Sequence, residues 1–552
     1  MRRKGVKRLY RICMGRIIAA FILILGISSM AAAFEIPTGN PDTELRWDNT
    51  FRYNYGVRTL NPNSDLIGNP NYDDGNRNFN KGTVTNRLDI LSELDLRYRK
   101  HYGFRISGAA WYDQRYQDPL GNDSVATSNH IVNGRQALGL GDNTKRFNAG
   151  PDAELMDAFV FGKVELGPVP LTVKAGRHTI FWGEALLFGG AINGISYSQM
   201  PIDAAKGFAN PGTEAKELFR PLYNISAQAQ LTTTFTISAQ YFLQWEPYRF
   251  PEAGSFLSPA DLFLEGSESM VLAPGVFFTH GKDQKPDGMK DWGIAAHWQP
   301  NWLGGVLGLY YRHFTDKLPQ AHIELATGQF FFAYPDNIDL YGVSLSKEIY
   351  GVSVGMEYNY RHNMPLQSEA VMIMPGTPKP VDGETYAARG NTHQFVINFL
   401  GLISKTALWD LANWGMEFTY SSWDKVTQGE QYFLGRAGYG NLDRVSKDAW
   451  GYSLLFAPTW FNVFPGMDLK MPINFAMGIS GNSALLFSDN LNAGNASAGF
   501  ALDIYKRYNV SLSYNKYYGD FDKVNGVATI YRGSQALLSD RDYVAFTFKF
   551  TL

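Results

Sequence analysis

The chain has 552 residues, with 50 basic and 52 acidic side chains, 55 glycines and 14% aromatic residues. This charge balance excludes a dedicated nucleic-acid binder, because phosphate neutralisation requires a basic face. The length would suggest about three or four domains, but no low-complexity tract or second domain interrupts the chain, which favours one repetitive all-β unit.

The first 33 residues predict a secretory signal peptide. Seven basic residues precede an apolar run over 17–27, and Ala31 to Ala33 supply the small residues of a cleavage site. The run is shorter than the ~20 residues that span a bilayer. Cleavage would remove Cys13, the only cysteine, and with it any disulfide or thiol nucleophile. The mature chain would carry 43 basic and 52 acidic residues, a net charge of −9.

From residue 44 onwards, apolar and polar residues alternate with a period of two, which indicates β-strands. In the first strand Trp47, Phe51 and Tyr53 share one face, whereas Asp48 and Arg52 share the other. The same alternation recurs over residues 223–231, 235–245 and 352–361. A non-helical protein in a bilayer must close into a barrel, and its strands alternate in this way over ~10 residues.

A soluble β-sandwich or propeller would also alternate, but two features favour the membrane barrel. Aromatic residues concentrate near strand ends, as interfacial girdles require. The polar face of one strand carries a row of both charges: Arg87, Asp89, Glu93, Asp95, Arg97 and Arg99. A dry core would not tolerate that row, whereas a wet lumen would. We expect a salt-bridged ladder; the alternative is a transverse field that orients solutes.

The connections between strands alternate in length, as they do in outer-membrane barrels with short periplasmic turns and long outer loops. Short turns are predicted at 100–101, 167–170, 232–234, 300–301, Glu348-Ile349, 401–405, 464–466 and 506–507. Long polar connections are predicted at 59–85, 118–152, 249–289, 362–389 and 519–540. The prediction is therefore an all-β, transmembrane antiparallel β-barrel over residues 34–552 with about 18 strands (alternative 16), and with an aqueous or loop-plugged lumen.

One segment, residues 176–221, breaks this pattern because it is more apolar than the other long connections. An apolar loop would be a poor outer surface, so we expect it to fold inward as a luminal constriction or plug. The residues predicted to form the constriction or contact the solute are Arg177, Trp182, Glu184, Asn193, Asp203, Glu214, Lys216 and Glu217. The alternative is a structural role, with a buried ion pair between Arg177 and Glu184.

The same segment carries a family resemblance. The motifs concerned are Gly176-Arg177, Trp182-Gly183-Glu184, Gly190-Ala191-Ile192-Asn193, Asp203 and the run from Pro211 to Glu217. They resemble the central signature of the bacterial family catalogued as domain of unknown function 1302. The resemblance implies a porin-like outer-membrane barrel of Gram-negative bacteria that accompanies export or uptake systems for hydrophobic compounds. It implies no particular substrate and no catalytic residue.

Together these observations predict an outer-membrane channel that passes small molecules, hydrophobic ones among them. The alternative is the outer-membrane component of an export or assembly machine; a barrel hydrolase, for instance with Ser198 near His178, is less favoured. No enzyme, cofactor or metal site is predicted, since the histidines show no metal-ligand spacing. The expected partners are the outer-membrane lipid bilayer, the barrel assembly machinery, a small-molecule solute and a periplasmic or inner-membrane transporter.

The chain closes on an alternating segment that predicts the last barrel strand. Phe546, Phe548 and Phe550 share one face, with Thr547 and Lys549 on the other. Because only closure removes the two edges of a sheet, this strand is expected to pair with the first one, beginning near residue 44.

Overall fold

The computed structural model describes residues 34–209, 213, 215–286 and 289–552. The predicted signal peptide, residues 1–33, lies outside the described residues. Eighteen antiparallel strands form one closed barrel, which confirms the predicted fold and strand number. The barrel strands are β1 (Thr43–Arg58), β2 (Gly82–Tyr98), β3 (Tyr102–Asp113), β4 (Asp152–Leu166), β5 (Val169–His178), β6 (Leu222–Thr232), β7 (Phe235–Phe242), β8 (Trp292–Trp298), β9 (Gly305–Phe314), β10 (Ile338–Ile349), β11 (Val352–Pro365), β12 (Arg389–Ile403), β13 (Leu411–Gln428), β14 (Asp448–Phe464), β15 (Met467–Lys470 and Ile473–Ser480), β16 (Gly494–Ile504), β17 (Tyr508–Tyr518) and β18 (Tyr543–Thr551).

Closure is made by the last strand, as predicted. β18 pairs with β17 on one side and with β1 on the other, in a register that runs from Thr50 opposite Thr551 to Arg58 opposite Tyr543. On the outer face the rings of Phe51 and Phe550 stack with centroids 5.0 Å apart. The paired ladder leaves neither terminal strand with a free edge.

The alternation of residues separates two environments. Outward side chains such as Val160, Leu309 and Leu512 are more than half exposed, whereas the inward Arg312 and Glu357 are 1% exposed. An apolar outer face around a closed barrel is the surface that a lipid bilayer covers. The barrel therefore lies in the cell outer membrane. Among the described residues, no helix is long and apolar enough to cross a membrane.

The predicted ladder of charges is present on the inner face of the first four strands. Arg46 pairs with Asp48 at 2.8 Å, Arg87 with Asp89 at 3.0 Å, and the Arg105 Nε lies 3.2 Å from a carboxylate oxygen of Asp157. The salt-bridged interpretation is confirmed for these residues. Arg99, predicted in the same row, lies in the turn after β2 and pairs instead with Asp42 at 2.9 Å.

Two turns were predicted too early. β12 continues through Ile403 and β13 begins at Leu411, so the connection predicted at 401–405 lies at 404–410. The turn after β10 was predicted two residues too early. Glu348 and Ile349 complete β10, and the chain reverses at Tyr350 and Gly351, with φ of 50° and 79°. A two-residue hairpin turn needs left-handed backbone at both positions, which Gly351 adopts without strain.

The outer loops build a second layer that the sequence did not reveal. A five-stranded sheet combines strands from three different loops: Ser269–Ala273, Val276–His280, Gln320–Glu324, Gln329–Ala333 and Val371–Ile373. Smaller hairpins are Ile131–Val132 with Arg135–Gln136, and Phe521–Val524 with Val527–Tyr531. Short α-helices are Asp74–Asn78, Asp142–Thr144, Phe188–Asn193, Ala204–Ala209, Ala215–Leu218 and Gly533–Ala536, and single turns of other helix types are Gln114–Tyr116, Lys145–Ala149 and Glu430–Tyr432. Strand Phe34–Ile36 pairs with the start of β1.

Candidate functional site

The connection between β5 and β6 lies inside the barrel. We call residues 179–221 the inward segment; residues 176–178, which the sequence assigned to the same connection, complete β5. Ile192, Ile195 and Tyr197 of this segment are at most 1% exposed and pack in one cluster with the inward-facing Phe314 and Leu340 of the wall. Burial against the wall accounts for the apolar composition of the segment.

A wall glutamate holds the first turn of the inward segment. The Glu357 carboxylate, on the inner face of β11, accepts hydrogen bonds from the backbone N–H groups of Ala185 at 2.7 Å and Ile195 at 2.6 Å, and from that of Glu184. Buried amides need such partners, and bonds to a carboxylate are about twice as strong as neutral ones. One side chain therefore ties together two parts of the segment that are ten residues apart.

A second wall glutamate does the same for the neighbouring turn. Glu417 of β13 accepts from the backbone N–H groups of Leu186 at 2.8 Å and Gly190 at 2.9 Å. A Cβ on Gly190 would lie 2.5 Å from a carboxylate oxygen of Glu417, so a larger residue here would push that carboxylate away from the backbone it binds.

Two wall arginines bind the carbonyl groups of the same segment. Arg312 of β9 donates to the backbone oxygens of Ile195 at 2.7 Å and Tyr197 at 2.6 Å. Arg361 of β11 donates to that of Ile192 at 3.0 Å. The inner wall thus supplies both acceptors and donors to the backbone of the segment, which fixes its path across the lumen.

Three of the predicted site residues, Asn193, Asp203 and Glu217, hold the segment in place. Asp203 accepts from Arg249 at 2.8 Å, and Glu217 accepts two hydrogen bonds from Arg52 of β1, both 2.9 Å. Asn193 is fully buried. Glu214 and the side chain of Lys216 lie outside the described residues.

Two predicted residues, Trp182 and Glu184, line a cavity of about 370 Å³ beside β5, β6 and β7. The cavity is also lined by the rings of Phe181 and Tyr310 and by the polar groups of Thr172, Lys174, His178, Thr179, Ser226, Gln228, Ser238 and His297. The Trp182 ring lies 6.1 Å from the ring of Tyr310. Burial raises the pKa of Glu184. Aromatic rings beside convergent polar groups are typical of a small-molecule site.

The structure places Arg177 in the barrel wall instead of the lumen. It stands in register with Tyr223, whose ring is exposed on the outer face. Its Nη1 lies 3.6 Å from a carboxylate oxygen of Glu246. The predicted ion pair between Arg177 and Glu184 is therefore wrong, because β5 continues through His178 and its alternation turns Arg177 outward.

Ser198 and His178 have separate partners. The Ser198 hydroxyl donates to Asp316 at 3.2 Å, and His178 Nε2 lies 2.8 Å from the hydroxyl of Ser226. Among the described residues, no group of three or more His, Cys, Asp or Glu side chains is placed to hold a metal ion.

The sequence did not identify the four charged wall residues that bind the inward segment: Arg312, Glu357, Arg361 and Glu417. The alternation of β11 placed Glu357 and Arg361 on its polar face. Two opposite charges four residues apart on that face were the available sequence signal. What they bind depends on the path of a segment more than 100 residues earlier in the chain.

Asp489, in the loop after β15, should make the docking of the inward segment depend on pH. It accepts from Thr419 at 2.6 Å and from Asn193 of the segment at 3.3 Å, and burial raises its pKa from 3.8 to about 6. An acid whose pKa rises on folding favours the folded state when protonated. That stabilisation is complete below about pH 4 and is lost as the pH rises through 6, a change on the order of 3 kcal/mol.

Hydrogen exchange of the amides around Asn193, corrected for intrinsic rates, should therefore be slower at pH 4 than at pH 7. Asp489→Asn should flatten this difference. An unchanged pH dependence in that variant would assign the effect to other groups.

A family model described as "Protein of unknown function (DUF1302)" matches residues 14–552. Among curated proteins none matches the sequence. Similar solved structures include OpdK of Pseudomonas aeruginosa with vanillate (10% identity, 92% of this chain and 98% of that chain, TM-score 0.40). A BenF-like porin from Pseudomonas fluorescens Pf-5 has 10% identity, the same coverage and a TM-score of 0.41. The Salmonella typhi OmpF complex with daunomycin has 11% identity, 94% and 100% coverage, and a TM-score of 0.37.

Proposed function

We propose, on the premise that the chain belongs to the family described as protein of unknown function (DUF1302), that it is a porin-like channel of the outer membrane. The inward segment is its constriction. The observation that carries this proposal is the attachment of the segment's backbone to Arg312, Glu357, Arg361 and Glu417 on the inner wall. A barrel of 16–18 strands leaves an aqueous lumen unless a loop fills it.

The solute of this channel is a small molecule with an apolar or aromatic part. The cavity beside Trp182 and Glu184 supports this class, because it presents aromatic rings together with hydrogen-bonding groups. Wall residues hold the segment, so the cavity keeps its shape as the solute passes. The barrel assembly machinery and a periplasmic or inner-membrane transporter stay predicted partners.

Single-channel recording in planar bilayers tests the proposal, with indole as an aromatic probe and cyclohexanol as a non-aromatic control. Indole should block the current more often than cyclohexanol does. Trp182→Ala should lower the block frequency roughly 2- to 10-fold, since one aromatic contact contributes about 0.5–1.5 kcal/mol. Trp298→Ala, which removes an exposed tryptophan at the end of β8 beside the short turn to β9, is the matched control and should leave the block frequency unchanged.

A protein that never conducts at any voltage would contradict the channel. Equal blocking in the two tryptophan variants would contradict the cavity as a solute site while leaving the channel standing.

A further inference from the structure

The hydrogen-bonded wall has a gap at its outer end, where two neighbouring strands stop early. β5 ends at His178 and β6 begins at Leu222, whereas β4 reaches outward to Asp152. The β4–β5 register ends at Ala158 opposite Arg177. Among the described residues, no strand therefore pairs with residues 152–157 of β4 on that side. We call the space between these residues and residues 243–249, which follow β7, the wall gap.

The wall gap lies at the outer boundary of the membrane. β5 has 10 residues, and at ~3.3 Å per residue and a tilt of ~40° it spans about 25 Å. That is the height of the apolar belt of such a barrel. The gap therefore faces the boundary between the head groups and the acyl chains of the outer leaflet.

Two arginine side chains close the wall gap where the backbone ladder is missing. Arg177 Nε donates to the carbonyl oxygens of Leu155 at 3.2 Å and Met156 at 3.1 Å, and its Nη1 donates to Gln244 across the gap at 3.2 Å. The first two bonds satisfy strand-edge carbonyls that lipid could not. Arg249, in residues 243–249 on the other side of the gap, donates a hydrogen bond to Glu154 of β4 at 3.1 Å. Side-chain bonds of this kind open without breaking the barrel.

A cavity of about 640 Å³ passes through the wall gap. At its outer end Leu155 and Tyr223 are 45% and 43% exposed. At its inner end it is lined by Tyr248, which is buried and whose hydroxyl accepts a hydrogen bond from the backbone N–H of Ser198 in the inward segment. The lining of the cavity thus includes residues exposed on the outer face of the barrel and a tyrosine that contacts the inward segment.

The inner end of this cavity also holds a buried acid. Glu252 is 6% exposed and lines the cavity, and its carboxyl has no hydrogen-bond partner among the described residues. Burial raises the pKa of Glu252 to about 8, so the group is mostly uncharged at neutral pH. The cavity is also lined by the rings of Phe147, Trp245 and Phe250 and by the charged groups of Glu154, Arg220, Glu246, Glu265 and Lys285. Aromatic surface beside several charged groups suits an amphipathic molecule, which has both an apolar part and a polar group.

We propose that the wall gap is a lateral window through which an amphipathic molecule passes between the barrel interior and the outer leaflet. Arg177 and Arg249 are the side-chain straps that keep the window closed when it is empty. This inference rests on the proposed channel function and specifies a second route for its solute.

The test uses one thiol at the inner end of the window. Cys13 is the only cysteine and lies in the predicted signal peptide, so a Glu252→Cys variant carries a single reactive thiol after cleavage. The probe is N-(1-pyrenyl)maleimide dissolved in the bilayer of proteoliposomes, with glutathione in the water to consume reagent that leaves the lipid. The thiol should be labelled from the membrane, and Arg177→Ala with Arg249→Ala should accelerate the labelling.

Blocking the window should slow the reaction. Ala153→Trp adds bulk at a residue that lines the cavity and should lower the labelling rate roughly 10-fold. Val160→Trp is the matched control, because Val160 lies on the same strand and is 59% exposed on the outer face, away from the cavity. A Tyr248→Cys series repeats the test at a second inner position, and heat-modifiable mobility on gels verifies folding.

Equal labelling rates in Ala153→Trp and Val160→Trp would overturn the window, as would a thiol that stays unlabelled when both straps are removed. Single-channel currents of the same samples separate the two proposals. Normal currents with no effect of Ala153→Trp would overturn the window alone, whereas the absence of current in every sample would overturn the axial channel.

Discussion

Deletion of residues 182–212, with a short glycine–serine linker joining the ends, is expected to raise single-channel conductance roughly threefold or more. The inward segment crosses the lumen from β5 to Glu217, which is bound by Arg52 of β1. A barrel of eighteen strands has room for a water-filled pore once its loop is removed. The deletion leaves all strand ladders intact, so the barrel itself should persist.

A double substitution tests the same constriction without shortening the chain. Glu357→Ala with Glu417→Ala removes the carboxylates that accept six backbone N–H groups of the segment. Each lost bond to a charged group costs about 1.5–3 kcal/mol. We expect a segment that leaves the wall intermittently, seen as currents that fluctuate between the wild-type level and that of the deletion.

Glu165→Ala is the matched control for this pair, because Glu165 is an exposed glutamate near the short turn after β4. Its current should match the wild type. If the deletion conducts no better than the wild type, the inward segment is not the constriction.

Truncation after Asp542, which removes β18, is expected to abolish insertion into the outer membrane. The missing strand would leave nine residues of β1, from Thr50 to Arg58, and eight of β17, from Tyr508 to Asn515, without their partners. Unsatisfied backbone groups in hydrocarbon cost several kcal/mol each. The open sheet would therefore be far less stable in lipid than the closed one.

Heat-modifiable mobility and the presence of the chain in washed outer membranes measure this result. Phe550→Leu is the control, because it keeps the ladder and the apolar outer face while removing the ring stacked on Phe51. It should insert normally. A truncated chain that inserted and migrated as a folded barrel would contradict closure through β18.

The local sequence pattern was enough to predict the strands of the barrel wall, because each strand contacts lipid on one face and the lumen on the other. Lipid selects apolar side chains at every second position and the lumen selects polar ones, so β1, β6, β7, β11 and β18 could be predicted from their own residues. The turn after β10 was misplaced by two residues, since Tyr350 and Gly351 adopt left-handed backbone that alternation does not report.

The candidate site was predicted less completely. Trp182 and Glu184 do line the luminal cavity, and the apolar composition of their segment indicated that it folds inward. Arg177 was assigned to the lumen, although it continues the outward series Val173 and Ala175 of β5. That error arose because the end of the strand was placed at a sequence motif instead of at the end of the alternation.

The sequence by itself determined the class of the protein: an exported, alternating chain whose final strand has to close on its first. Only the tertiary structure decided which part of the protein each charged side chain binds. Glu357 and Glu417 bind the inward segment, Arg177 and Arg249 span the wall gap, and strands from three outer loops form one sheet. These contacts join residues far apart in the chain, and the geometry of closure brings them together, whereas period-two alternation is imposed locally by lipid and water.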